Sequence, residues 1–153
     1  MNATKDGPTA PPLVNPKLWN PNVAANWSLL FSPAFGATLH AKNWETLGNA
    51  EMARANWMWV KVTIAFLILC IMPVESPAFN ILCRFGGLAL LLTWYFNLAK
   101  RQIQYVKKIL PATYARRSWK QPLLIGFGCV LGLIVVTAIV DAVVGVLTSH
   151  PAG

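Results

Sequence analysis

The stretch that decides the fold is residues 123–148, LLIGFGCVLGLIVVTAIVDAVVGVLT, in which Asp141 is the one charged residue among 26. A helix needs about 20 mainly apolar residues to cross the hydrocarbon core of a bilayer. Pro122 comes directly before the stretch, where the first turn of a helix tolerates a missing amide. The pattern therefore predicts a transmembrane helix over residues 123–148.

Two more apolar segments precede this one, at residues 57–74 and 78–99. The first opens on a pair of tryptophans and the second closes on an aromatic cluster, and such rings favour the interface between membrane and water. Only Glu75 and Ser76 lie between Val74, which ends the first segment, and Pro77, which directly precedes the second. We therefore expect two spans joined as a tight antiparallel hairpin.

The composition agrees with a membrane protein. Of 153 residues, 56% are hydrophobic and 12% are charged, whereas a soluble domain has about 25% charged residues. The length is sufficient for one compact membrane domain, over residues 22–153, and leaves no room for a second.

The positive charge is concentrated between the last two spans. Seven of the 13 basic residues lie in residues 100–121, which contain no acidic residue. Basic loops of this kind remain in the cytoplasm, and they attract anionic lipid headgroups. The residues expected to contact those headgroups are Lys100, Arg101, Lys107, Lys108, Arg116, Arg117 and Lys120. A nucleic-acid partner is not expected, because the chain has none of the motifs that would present such charges to it.

The N-terminal part, residues 1–56, divides into three segments. Residues 1–21 are rich in proline and asparagine, which predicts a disordered tail and no cleavable signal peptide. Residues 22–41 are too short and too polar to span comfortably, so we expect a re-entrant or interfacial segment bent at Pro33. The alternative is a fourth transmembrane helix. Residues 42–56 should form a short helical connection, with Asn43 and Asn49 as caps.

The fold class expected is thus an all-α membrane protein with three transmembrane helices and one bent N-terminal segment. In it, Arg84 and Asp141 each lie about 10 Å below the same surface. Equal depth and opposite charge predict an intramembrane ion pair. Gly128 and Gly132 form a Gly-x-x-x-Gly face that permits close helix packing, although glycine is also common in membrane helices for other reasons.

The chain offers no pattern for catalysis, cofactor binding or metal binding. His40 and His150 are 110 positions apart, and no Cys-x-x-Cys motif occurs. Cys70, Cys83 and Cys129 lie within apolar segments, where we expect them to act as small hydrophobic side chains rather than as a disulfide. We therefore expect a non-enzymatic protein without metal or cofactor.

The most distinctive stretch is residues 18–44, LWNPNVAANWSLLFSPAFGATLHAKNW. It resembles the corresponding segment of uncharacterised small integral membrane proteins of bacteria, of a proteobacterial kind. The likeness covers less than a fifth of the chain. It implies a bacterial membrane location and no particular activity.

Together these features favour an accessory subunit or interaction partner of a complex in the bacterial inner membrane, or a homo-oligomer. One alternative is an immunity or regulatory protein that binds a partner within the bilayer. Another is an oligomeric channel or transporter component, since three spans alone are too few to enclose a pore.

Overall fold

The computed structural model describes residues 16–74, 76–110 and 114–149. Its regular elements are helices: α1 (Pro21–Phe31), α2 (Pro33–Thr46), α3 (Ala50–Ile71), α4 (Pro77–Trp94), α5 (Lys100–Ile109) and α6 (Lys120–Ser149). A π-helical turn, Tyr95–Ala99, joins α4 to α5 without a break. Within the described residues the only β-type pairing is an isolated bridge between Leu18 and Arg116.

Three helices are long and apolar enough to cross a bilayer: Ala50–Ile71, Pro77–Ile109 and Lys120–Ser149. They correspond to the three predicted spans, and the expected all-α membrane fold is confirmed. The first begins seven residues earlier than expected, because Asn49 caps it by accepting a hydrogen bond from the Met52 amide at 3.0 Å. The predicted break between the first two spans falls between Ile71 and Pro77.

The N-terminal segment is a bent helical hairpin, as expected. Ser32, with a φ of 129°, separates α1 from α2, and Pro33 begins the second helix. The two helices have 11 and 14 residues, or about 17 and 21 Å, which is well short of the roughly 30 Å of hydrocarbon. Neither helix is therefore a fourth span.

The core of the molecule lies between this hairpin and the first two spans. Trp94 and Ala37 are fully buried there, together with Val60 and Leu91. Gly36 permits the close approach, since a Cβ at this position would meet the Ser28 hydroxyl and lie 2.6 Å from the Trp94 ring. Gly48, with a φ of 74°, makes the turn from α2 into α3.

The third span packs on the rest of the chain over a small area near its beginning. Of the 30 residues of α6, only Pro122 and Gly126 are buried. The Phe31 ring, at the tip of the α1–α2 hairpin, meets Phe127 edge to face at 4.9 Å. Phe127 lies seven residues into α6, so the hairpin tip reaches about 10 Å along the span.

A disulfide joins Cys70 to Cys83, with a Cα–Cα distance of 5.6 Å. This corrects the expectation that both cysteines act only as small hydrophobic side chains. The pairing follows from the way the two helices lie against each other, since Cys70 is the second-last residue of α3 and Cys83 the seventh of α4. The apolar surroundings of each cysteine gave no sign of it. Cys129 is free and exposed.

Residues 16–20 correct the expected extent of the disordered tail. The Leu18 amide donates to the Ala115 carbonyl at 3.1 Å, and the Arg117 amide donates to the Leu18 carbonyl at 2.9 Å. Leu18 itself is fully buried. The tail prediction for residues 1–15 lies outside the described residues. Within the basic stretch of residues 100–121, helix α5 continues from the second span to Ile109.

Candidate functional site

A cluster of buried polar side chains lies where α2, α5 and residues 16–20 meet. We call this part of the molecule, with the start of α6, the basic end. Asn43 accepts a hydrogen bond from the Trp19 amide at 3.0 Å and donates to the Trp19 carbonyl at 2.8 Å. It also donates to the Gln102 side chain at 3.3 Å. Asn43 is therefore a link between elements and not the helix cap that its sequence context predicts.

Gln102 extends the cluster towards the hairpin. Its amide donates to the His40 carbonyl at 2.8 Å, and the side chain is fully buried. Asn56 ties α3 to α4 in a similar way, because it accepts from the Trp94 indole at 3.0 Å. A buried amide that lacked these partners would cost roughly 1–3 kcal/mol, so the bonds select this particular packing of the helices.

His40 lies at the centre of the cluster. Its Nε2 is 3.0 Å from the Pro21 carbonyl, which can only accept, so Nε2 is the protonated nitrogen. Burial lowers the pKa of His40 to about 4, against the smaller opposing effect of that hydrogen bond. The ring is therefore neutral at pH 7, and its buried Nδ1 has no hydrogen-bond partner among the described residues.

Arg117 fastens residues 16–20 to the beginning of α6. Its guanidinium lies 4.6 Å from the centre of the Trp19 ring, and its Nε donates to the Lys17 carbonyl at 2.8 Å. It also donates to Thr46 at 3.3 Å. Arg117 is half-buried, whereas the other six basic residues predicted to contact lipid are exposed: Lys100, Arg101, Lys107, Lys108, Arg116 and Lys120. Those six side chains are accessible at the surface, whereas Arg117 holds two parts of the chain together.

A mainly apolar cavity of about 380 Å³ lies between α2, α3 and α6. Lys42 and Gln121 line it towards the basic end, and Ile64, Leu67 and Leu133 line it farther along the spans. Cys129 also faces it. Among its lining residues there is no acidic side chain.

The predicted pair of Arg84 and Asp141 is not brought together. Both side chains are exposed, and within the described part of the chain no ion pair joins them at 4.0 Å or less. Asp141 instead lines a second cavity of about 370 Å³ with Thr137, Asn80 and Cys70. Equal depth was insufficient to predict a contact, because it does not determine which helix faces which.

The predicted packing face on α6 is open. A Cβ at Gly128 or Gly132 would have no other atom within 4 Å, whereas one at Gly126 would touch the Phe31 ring at 3.1 Å. None of the helices in the described part of the chain packs against Gly128 and Gly132. No group of three His, Cys, Asp or Glu side chains able to hold a metal occurs among the described residues.

Sequence reasoning missed the buried polar cluster, although one signal was available. Leu91, Trp94, Leu98, Gln102 and Val106 recur at helical spacing and all are buried. A polar residue within such a stripe indicates an internal hydrogen bond rather than a surface position. The same holds for Asn56, which lies between the buried Ala53 and Val60 on α3.

Comparisons with family models, curated proteins and solved structures found no match to this chain.

Proposed function

We propose that the protein is a non-enzymatic subunit of a membrane complex, and that α6 is the helix by which it binds another membrane protein or a second copy of itself. The observation that carries this proposal is the open face at Gly128 and Gly132 on a helix with only two buried residues. Small residues four apart let helix backbones approach closely within a bilayer.

The location proposed is a bacterial inner membrane with the basic end in the cytoplasm. Two separate features support this orientation. The seven basic residues between the last two spans follow the charge bias of cytoplasmic loops. The Cys70–Cys83 disulfide lies at the opposite end, and disulfides persist in an oxidising compartment such as the periplasm.

The α6 face is tested by a paired substitution, Gly128→Leu with Gly132→Leu, in tagged protein purified from its own membranes in mild detergent. We expect a partner protein to co-purify with the native chain in a stoichiometric amount. The amount that co-purifies with the variant should be at least tenfold lower. A second, differently tagged copy distinguishes self-association from a different partner.

Gly145→Leu is the matched control. It changes the same residue type on the same helix, also with open space around it, but about 140° around the helix from Gly132. The partner protein should still co-purify with the Gly145→Leu variant. A native chain that purifies alone as a monomer, or equal retention by all three proteins, would contradict the proposal.

A further inference from the structure

The cavity between α2, α3 and α6 changes in polarity along its length. Helix α2 runs towards the basic end, where Thr46 meets Arg117, and α6 begins at that end. Lys42 and Gln121 therefore lie at the basic end of the cavity, and Leu67 and Leu133 lie at its far end. From Gln121 to Leu133 the wall is about 18 Å long.

Lys42 is the one charged residue among those that line the cavity, and it lies at the basic end. Lys42 is exposed and lines the cavity, and Lys120 directly precedes the lining residue Gln121. Arg117 lies against the Trp19 ring, which forms part of the same wall. The far part, by contrast, has the apolar side chains that a hydrocarbon chain requires. An occupant that complements both parts has an anionic group next to an extended acyl chain.

We propose that this cavity binds one anionic phospholipid, with its phosphate at Lys42 and one acyl chain between α2, α3 and α6. The bound lipid would fill the space that separates α6 from the first span. This goes beyond the subunit function, because it requires only the chain itself and a bilayer. It differs from general attraction of lipid to the basic residues, since it assigns one lipid to one place.

The test uses the full-length protein in mild detergent, incubated with equal amounts of phosphatidylglycerol and phosphatidylcholine and examined by native mass spectrometry. We expect one tightly retained phosphatidylglycerol in the native protein, and retention reduced about fivefold in Lys42→Gln, the effect of one lysine near a membrane surface. Lys107→Gln is the matched control. It removes an equally exposed lysine from α5 that does not line the cavity, and its retention should stay within about twofold of native.

A photoactivatable phosphatidylglycerol, with its reactive group in the acyl chain, gives a second and independent measurement. We expect its adducts on cavity residues such as Leu67 and Leu133, and their loss in Cys129→Phe, which fills the cavity, but not in Cys129→Ala. Equal retention of the two lipids by the native protein would overturn the proposal. So would equal effects of Lys42→Gln and Lys107→Gln, or adducts confined to outward residues such as Leu124. None of these outcomes depends on whether α6 has a protein partner.

Discussion

The packing around Gly36 leaves no space for a methyl group on its Cα. Its carbon would overlap the Ser28 hydroxyl and lie 2.6 Å from the fully buried Trp94 ring. We expect Gly36→Ala to lower the free energy of unfolding by about 1–3 kcal/mol, because the hairpin and the second span must move apart.

The thermal midpoint in detergent measures this effect. Gly145→Ala is the control, since open space surrounds that position and alanine is the better helix former, by roughly 1 kcal/mol. Its midpoint should be unchanged or higher. Equal midpoints for the two variants would show that the contact at Gly36 is not tight.

His40 makes the stability of the fold depend on pH, and the direction follows from its pKa. The pKa falls from 6.5 in the unfolded chain to about 4 in the folded one. As the pH falls, the unfolded chain therefore binds a proton at His40 before the folded chain does. The stability that the neutral ring contributes is fully present above pH 6.5 and is lost as the pH falls towards 4. The full loss would be about 3 kcal/mol.

We expect the native thermal midpoint to be lower at pH 5 than at pH 7.5, and the His40→Gln variant to show a smaller change. Glutamine can still donate to the Pro21 carbonyl but does not titrate in this range. His150→Gln, at the only other histidine of the sequence, should retain the native response. A response that persists in His40→Gln would mean that other groups cause it.

Among the elements, the α3–α4 hairpin combines a feature that the sequence predicts with one that it does not. Pro73 and Pro77 predicted where the two helices separate, because proline cannot continue a helix. The disulfide depends instead on the register of the two helices, which brings positions 70 and 83 within 5.6 Å. The disulfide closes a loop with a sequence separation of 13 residues. A crosslink over a loop of that length stabilises the folded state by about 3 kcal/mol.

The disulfide also reports the orientation of this hairpin. In Cys129→Ala protein, where only the pair remains, we expect no labelling by a maleimide polymer until a membrane-impermeant reductant is added outside intact spheroplasts. Two labels per chain should then appear. Labelling without reductant would mean free thiols, and labelling only after lysis would place this end in the cytoplasm.

At the scale of the whole molecule, the sequence was sufficient for the spans and insufficient for their arrangement. Long apolar stretches such as residues 123–148 predict a membrane helix by themselves, because the length and hydrophobicity of a segment determine whether it can cross the hydrocarbon core. The positions of Asn43 and Gln102 depend on contacts between segments 59 residues apart, and no local pattern predicts which partners they take. Arg84 and Asp141 show the same limit, since depth alone did not predict a contact.

The pairing of Leu18 with residues 115–117 has a consequence for the order of events during synthesis. Leu18 leaves the ribosome 98 residues before Arg116, with which it forms a bridge. At about 5–20 residues per second, roughly 5–20 s separate the two. Throughout that interval the first two spans can insert, while Leu18 and Trp19 have no finished site to occupy. The chain around Leu18 is therefore made early but fixed late, and until residues 115–117 appear Leu18 and Trp19 are available to lipid or to a chaperone.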